Sequence, residues 1–254
     1  DLPENGGRDT VGAVAQTAAE FQHHTGIWLR CVGSIGILRM VGVNSVGIVR
    51  GNHKGLAQHS VKIQLQVGPD YSMEMLKKFG ISTVADDASV PTNDLNPAAL
   101  ALGAMTYGTT PLDMALAYAT FPNGGVRNSG ASYTTVTDAE GKTVLIKKKE
   151  TTKVLDEGVA FIMTDVLKSV VSRGIAYNAS IYGTQVGGKT GTTNDDYDYW
   201  FVGFTPNYSA ALWMGTDHNK EMSWTSSSAA LLWSRIMEQI PDITEGEYPP
   251  QPDD

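Results

Sequence analysis

The sequence predicts an α+β fold in which an antiparallel sheet is flanked by helices. Near the C-terminus, three strand-like segments follow one another with only short turns between them, which is typical of an antiparallel meander. Segments with one apolar face at helical spacing lie before and after these strands. A run of consecutive strands with helices on its faces, rather than a regular alternation of strand and helix, indicates the α+β class.

The composition limits the classes of function. A chain of 254 residues is long enough for one large domain with a substantial core. The net charge of -8 argues against nucleic-acid binding, because no surplus of Lys and Arg is present to displace phosphate counterions. Cys31 is the only cysteine, which excludes a disulfide framework and a multi-cysteine metal site. We predict no metal site and no cofactor.

The N-terminal segment, residues 1–60, is atypical. No Asp or Glu occurs from Phe21 through Pro69. This stretch predicts a buried strand-rich segment, and a defect such as out-of-frame residues is an alternative explanation. His23 and His24 are adjacent, so their side chains diverge and a metal site there is weakly supported. The apolar region from Gly26 to Val49 contains two arginines, each costing about 2.5–3.5 kcal/mol at a bilayer centre, so any membrane anchor is expected outside this chain.

Local signals predict the elements that follow. Asp70 is a candidate cap for a helix from Tyr71 to Phe79, with Gly80 as its stop. Thr110-Pro111-Leu112-Asp113 predicts a second helix start, with proline at the first helical position. A hairpin is expected around Asp138–Gly141, followed by a long helix whose apolar face runs from Val159 to Val170.

The last third of the chain predicts the meander and its covering helix. The strands are expected at Thr184–Thr192, Tyr199–Thr205 and Ser209–Gly215, followed by a helix from Ser226 to Ile240. The tail from Pro241 to Asp254 is acidic and rich in proline, which predicts disorder. The expected division is therefore 1–60, 61–240 and 241–254.

The stretch Gly187–Thr193 permits two incompatible interpretations. Counted from Gly183, it fits the phosphate-binding pattern G-x-x-x-x-G-K-[ST]. That pattern requires a helix to begin at the Lys-Thr pair, but the following residues favour a turn. The nucleotide-binding interpretation therefore lacks its structural context.

The second interpretation is an exposed β-strand that carries Lys-Thr-Gly. A peptide laid along such a strand gains main-chain hydrogen bonds. Lys189 and the hydroxyl groups of Thr190 and Thr192 would meet a carboxylate at its end, and Gly191 would let the two backbones approach. Without further support, the same residues would describe an ordinary solvated strand face.

Further segments support the second interpretation. Between residues 61 and 240 the chain resembles the transpeptidase domain of class A (bifunctional) penicillin-binding proteins. The similar segments are Val61-Lys62, Val67-Gly68-Pro69, Lys77–Ile81, Leu100–Gly103, Thr106–Ala115, Ala117–Phe121, Asn123–Gly125, Gly188–Asn194, Asp198–Pro206 and Trp213–Gly215. This resemblance implies the fold shared by penicillin-binding proteins and serine β-lactamases.

The resemblance also implies a reaction and its partners. A serine attacks the D-Ala-D-Ala bond of a peptidoglycan stem peptide, and the acyl group passes to an amine on a neighbouring stem peptide. β-Lactam antibiotics trap the acyl-enzyme, and the site lies outside the cytoplasmic membrane. Lys189 would take part in catalysis, residues 189–192 would bind substrate, and the backbone N–H of Thr192 would belong to an oxyanion hole.

Two motifs of that family are absent. No lysine has a serine three positions before it, and no asparagine has a serine two positions before it. Ser60 is a poor substitute nucleophile because no lysine follows at the required spacing. We expect the fold to be incomplete on its N-terminal side, with the nucleophile upstream of Asp1 or a motif lost between Phe21 and His59. The isolated chain is then expected to be inactive, and the alternatives are a binding module of the same fold or a serine β-lactamase.

Overall fold

The structure, a computed structural model, describes residues 53–193 and 195–252. The expectations for residues 21–52, including His23, His24 and Cys31, lie outside these described residues. The first described element is helix α1, which spans His53–Val67. The expected strand-rich character is therefore wrong for residues 53–59. Across the described ranges, no helix combines the length and the apolar character needed to cross a membrane.

Helix α2 spans Pro69–Lys78, and its start corrects the predicted cap. Gly68 rather than Asp70 is the N-cap residue, since Pro69 already occupies the first turn and Asp70 follows inside it. Gly80, at φ 85°, lies just after the helix as predicted. Gln64 links α1 to α2, because its Nε2 donates to the Ser72 hydroxyl oxygen at 2.6 Å.

Two short helices follow a polar loop. Helix α3 spans Pro97–Leu102, and helix α4 spans Pro111–Ala119. The Thr110 hydroxyl oxygen accepts a hydrogen bond from the Asp113 N–H at 3.0 Å, which confirms the predicted start of α4.

Two small antiparallel ribbons follow. Strand β1 (Val126–Asn128) pairs with β4 (Thr151–Lys153), and β2 (Thr135–Thr137) pairs with β3 (Thr143–Ile146) in the predicted hairpin. The long helix is confirmed as α5, Glu157–Ser172, and a short 3₁₀ turn at Tyr177–Ala179 follows it.

The central sheet contains β5 (Gly187–Thr192), β6 (Asp198–Phe204) and β7 (Ser209–Gly215) in the order β5-β6-β7. Both strand pairs are antiparallel, which confirms the predicted meander. Helix α6 spans Ser226–Met237. The alternation of side chains along β6 feeds two core clusters: Val202 and Phe204 pack with residues of α4 and α5, whereas Tyr199 and Phe201 pack with residues of α6.

The tail, predicted to be disordered from Pro241 to Asp254, is instead packed against the rest of the chain over most of its length. Ile243 is buried in the same cluster as Tyr199 and Phe201. The Tyr248 hydroxyl donates to the Gln185 carbonyl oxygen at 2.7 Å, and its ring meets Phe204 edge-on. Two large side chains in a polar segment are enough to pin it to the sheet, although the average composition of the segment predicts no core.

Candidate functional site

Strand β5 forms one edge of the central sheet. In the part of the chain that the structure describes, its only strand partner is β6. Lys189 lies opposite Val202 and Gly191 lies opposite Trp200, so these four side-chain positions share one face of the sheet. The unpaired edge and this face together border a cleft.

Two glycines fix how closely β5 lies against its neighbours. A Cβ on Gly187 would come within 2.5 Å of the Phe204 ring, and a Cβ on Gly188 would come within 2.5 Å of the Phe201 ring. The absence of side chains at these positions therefore lets the aromatic rings of β6 fill the space beside the strand. Lys189 directly follows these two glycines on the same strand.

The structure places the predicted site residues 189–192 on this one strand, as the extended interpretation requires. Lys189 is half-buried, and its Nζ donates to the Thr190 carbonyl oxygen at 2.9 Å, with the Thr190 hydroxyl oxygen at 3.4 Å. Thr190 is only 6% exposed, whereas Thr192 is exposed. The strand is thus less exposed than predicted, because Thr190 lies opposite Phe201, a core residue.

The turn after β5 is held by side chains. The Thr193 hydroxyl oxygen accepts hydrogen bonds from the N–H groups of Tyr197 and Asp198. Asp198 accepts a further hydrogen bond from the Trp213 indole N–H at 2.8 Å. The Tyr199 hydroxyl donates to the Met222 carbonyl oxygen at 3.1 Å, and burial, assisted by the nearby Asp196 carboxylate, raises the pKa of Tyr199. These bonds hold the end of β5 in register with β6.

The opposite wall of the cleft comes from a different part of the chain. It consists of residues 102–109, between α3 and α4, and the cleft has a volume of about 730 Å³. Met114 and Tyr118 of α4 also line it, together with Asn219, which follows β7 in the chain. This volume lies within the range of about 300–1,000 Å³ that is usual for small-ligand sites.

Sequence reasoning missed part of this cleft as a site. Thr106, Tyr107 and Trp200 were identified only as parts of family-like segments, and Trp200 also as part of the predicted strand Tyr199–Thr205. Tyr107 is 73% exposed, and it lies between Gly103 and Gly108, which both have positive φ. A large aromatic residue in a glycine-rich loop was the one signal that could have drawn attention to it.

Hydrogen bonds attach the wall to the preceding loop. One carboxylate oxygen of Asp94 accepts from the Thr106 N–H at 2.6 Å, and the other accepts from the Ala85 N–H at 2.8 Å. The Thr83 hydroxyl donates to the Gly108 carbonyl oxygen at 2.6 Å. Residues 106 and 108 are therefore both fixed, with Tyr107 between them.

The nucleotide-binding interpretation is wrong. Lys189 lies inside an antiparallel strand, and β5 continues through Thr192 before a turn, so no helix begins at the Lys-Thr pair. Ser60 is buried within α1, at 7% exposed, and does not line the cleft. The described residues thus bring together residues 189–192 of the predicted site and do not bring Ser60 to them.

Comparisons of the sequence with known proteins match one family. Residues 58–238 match the family described as the penicillin binding protein transpeptidase domain. Penicillin-binding protein 1A of Clostridium botulinum (strain Langeland) is 40% identical over 183 residues, which are 71% of this chain and 21% of that protein. Penicillin-binding protein 1A of Neisseria meningitidis serogroup A is 34% identical over 169 residues, 64% of this chain and 20% of that protein. This chain spans about a fifth of the length of these curated relatives.

Solved structures support the fold. The PonA1 protein from Mycobacterium tuberculosis in complex with penicillin V has a TM-score of 0.62 at 24% identity, over 77% of this chain and 56% of that chain. Penicillin-Binding Protein 1A from Haemophilus influenzae has a TM-score of 0.62 at 18% identity, over 95% of this chain and 41% of that chain. The predicted fold class is confirmed.

Proposed function

Because this chain belongs to the penicillin binding protein transpeptidase domain family, we propose that it carries the substrate-holding part of a peptidoglycan D,D-transpeptidase site. Strand β5 binds the D-Ala-D-Ala end of a stem peptide, and β-lactams occupy the same place. The observation that supports this proposal is the placement of residues 189–192 on an edge strand that lines a cleft. Such a site acts outside the cytoplasmic membrane.

The chemistry of the strand suits a peptide that ends in a carboxylate. The free edge of β5 offers main-chain groups to an added strand. Lys189 supplies an ammonium group in a half-buried setting, where charge attraction is screened less than at an open surface. Thr192 is exposed to an incoming ligand, and Gly191 has no side chain, so a ligand backbone can approach the strand closely there.

The acyl transfer itself needs a group that this chain does not contain. A serine hydroxyl oxygen forms an ester with the carbonyl carbon of the penultimate D-alanine, the peptide bond breaks, and D-alanine leaves with the proton on its amine. An amine of a second stem peptide then attacks the ester and releases the serine. Because Ser-x-x-Lys and Ser-x-Asn are both absent, the chain alone binds peptide without acylation. In the complete site, the Thr192 N–H is one of two donors to the developing oxyanion.

The binding proposal is tested by calorimetric titration of the chain with diacetyl-Lys-D-Ala-D-Ala and with the same peptide carrying a C-terminal carboxamide. We expect the carboxamide to bind at least about tenfold more weakly, because it loses a charge-assisted hydrogen bond. Lys189→Met should weaken binding of the acid peptide by a similar factor. Lys142→Met, an exposed lysine of the β2–β3 turn, is the matched control. Equal affinity for acid and carboxamide, or unchanged binding by Lys189→Met, would refute the proposed role of Lys189.

The expected lack of acylation is tested with a fluorescent penicillin. We expect no label to survive denaturation of the isolated chain. A covalent label that survives would show that a nucleophile is present after all. Rapid hydrolysis of nitrocefin would instead identify a serine β-lactamase.

A further inference from the structure

The wall that faces β5 combines an exposed aromatic residue with a rigid attachment. Tyr107 is 73% exposed at the cleft, although it lies between two residues whose backbone groups are hydrogen-bonded to another loop. Tyr107 is not among the side chains that form the two core clusters or pack against them. Its ring is therefore available for contact with a ligand that enters the cleft.

The attachment depends on a buried carboxylate. Asp94 is 1% exposed, and its two oxygens accept hydrogen bonds from the N–H groups of Thr106 and Ala85. Its own N–H donates to the Ala85 carbonyl oxygen at 2.7 Å. Burying a carboxylate is unfavourable unless its lone pairs are satisfied, and here backbone donors satisfy them. Asp94 therefore joins residues 83–95 to the cleft wall at one defined position.

The second attachment acts on the other side of Tyr107. The Thr83 hydroxyl donates to the Gly108 carbonyl oxygen at 2.6 Å, and Gly108 has φ 66°, a conformation that glycine adopts readily. Tyr107 is thus presented from a turn whose two ends are fixed. A tyrosine has few side-chain torsions to restrict, so it loses little conformational freedom on binding, which favours its use as a contact residue.

A peptide paired with β5 would have the wall of residues 102–109 beside it. Its terminal carboxylate belongs near Lys189, so the residue that precedes D-Ala-D-Ala lies further along the cleft. On the basis of the proposed function, we propose that Tyr107 is a specificity-determining residue that packs against the aliphatic side chain of that preceding residue. Asp94 is the positioning residue that holds Tyr107 in place for this contact.

The test compares two ligands of different length on the same protein. Diacetyl-Lys-D-Ala-D-Ala has the preceding side chain, and acetyl-D-Ala-D-Ala lacks it. Tyr107→Ala should weaken binding of the longer peptide by about 3- to 10-fold and leave the affinity for the shorter one unchanged. Tyr107→Phe should restore most of the affinity for the longer peptide, because the ring is retained.

Asp94→Asn tests the positioning role. An amide can accept only one of the two hydrogen bonds, so the Thr106 amide signal in a ¹H–¹⁵N spectrum should move and the preference for the longer peptide should fall about 3- to 10-fold. Asp87→Asn is the matched control, since Asp87 lies in the same loop and its carboxylate accepts hydrogen bonds from the N–H and the hydroxyl of nearby Ser89. It should leave both the Thr106 signal and the ligand preference unchanged.

The outcomes separate this inference from the function on which it rests. If the wild-type chain binds neither peptide, both proposals are overturned. If it binds both peptides and Tyr107→Ala leaves their ratio unchanged, only the role of Tyr107 is overturned. If Asp94→Asn weakens both peptides by the same factor, Asp94 supports the fold in general and does not position Tyr107.

Discussion

Gly188→Ala tests whether the packing between β5 and β6 fixes the candidate site. A Cβ at this position would lie 2.5 Å from Phe201 Cζ, 2.7 Å from the Val202 carbonyl oxygen and 2.9 Å from Gly203 Cα. Phe201 cannot swing away freely, because it is fully buried and its ring lies edge-on to Trp233 at 5.0 Å. The other two contacts are backbone atoms of the paired strand, so the strands themselves must separate.

The magnitude follows from two opposing effects. Overpacking a core typically costs about 1–3 kcal/mol, and contacts to backbone favour the upper part of that range. Replacing glycine by alanine in a strand returns about 0.5–1 kcal/mol through the unfolded chain. We expect a net loss of about 2 kcal/mol in the free energy of unfolding.

Urea denaturation followed by tryptophan fluorescence measures this loss. With an m-value of about 2 kcal/mol/M, the midpoint should fall by about 1 M. Gly191→Ala is the matched control on the same strand, since its Cβ would come no closer than 3.2 Å to Trp200. A midpoint for Gly188→Ala that equals the wild-type value, or that shifts no further than the Gly191→Ala midpoint, would refute the packing argument.

Two further predictions concern the tail and the sheet it covers. Burial raises the pKa of Tyr248 well above its ordinary value of about 10, so the neutral phenol is favoured in the folded state. The contribution of the neutral phenol to stability is complete below about pH 10 and is lost as the pH rises towards the folded-state pKa. The urea midpoint should therefore fall less between pH 8 and pH 11 for Tyr248→Phe than for the wild type. An equal fall of the midpoint in both proteins would contradict this. Ile243→Ala should lower the free energy of unfolding by about 2–4 kcal/mol, because Ile243 is 5% exposed. A thermal melt identical to wild type would show that the tail does not contribute to the core.

The elements that local chemistry specifies were predictable from the sequence. The strand Ser209–Gly215 has its predicted bounds, and the Thr110 cap is formed as expected. In both cases the signal lies within a few neighbouring residues, as turn chemistry or a capping side chain. The predicted start of the first strand was less accurate. The strand begins at Gly187 rather than Thr184, because Gly187 pairs with Phe204, the last residue of β6.

Elements that depend on distant partners were not predictable. Helix α1 has no acidic residue in its first turn and no basic residue in its last turn, so no terminal charge marks it. The tail was assigned to disorder because its composition is polar, whereas the contacts of Tyr248 join it to Gln185, 63 residues earlier. The average composition of a segment does not predict which individual side chains will contact residues that are distant in sequence.

The candidate site likewise contains residues that local sequence predicts and residues that depend on distant contacts. Residues 189–192 were identified because their chemistry is local to one strand and resembles a family motif. Asp94 was not identified from the sequence, since its role depends on the Thr106 N–H, 12 residues away. The wall of the cleft becomes visible only when α3 and α4 place residues 102–109 opposite the sheet.

The composition of β5 explains why the site and the core depend on each other. Three glycines in six residues make Gly187–Thr192 a poor strand by intrinsic preference. The strand is stable because its partner β6 contributes aromatic and β-branched residues that pack against it. Gly203 of β6 also leaves room for aromatic rings, since a Cβ there would come within 2.5 Å of Phe201 and 3.0 Å of Trp233. Glycine gaps on two strands are thus filled by aromatic rings, and the Trp233 indole N–H is itself bound to the Ala210 carbonyl oxygen at 3.0 Å. Substitutions that disturb this interlocking should therefore move Lys189 and weaken peptide binding, even though they touch no ligand.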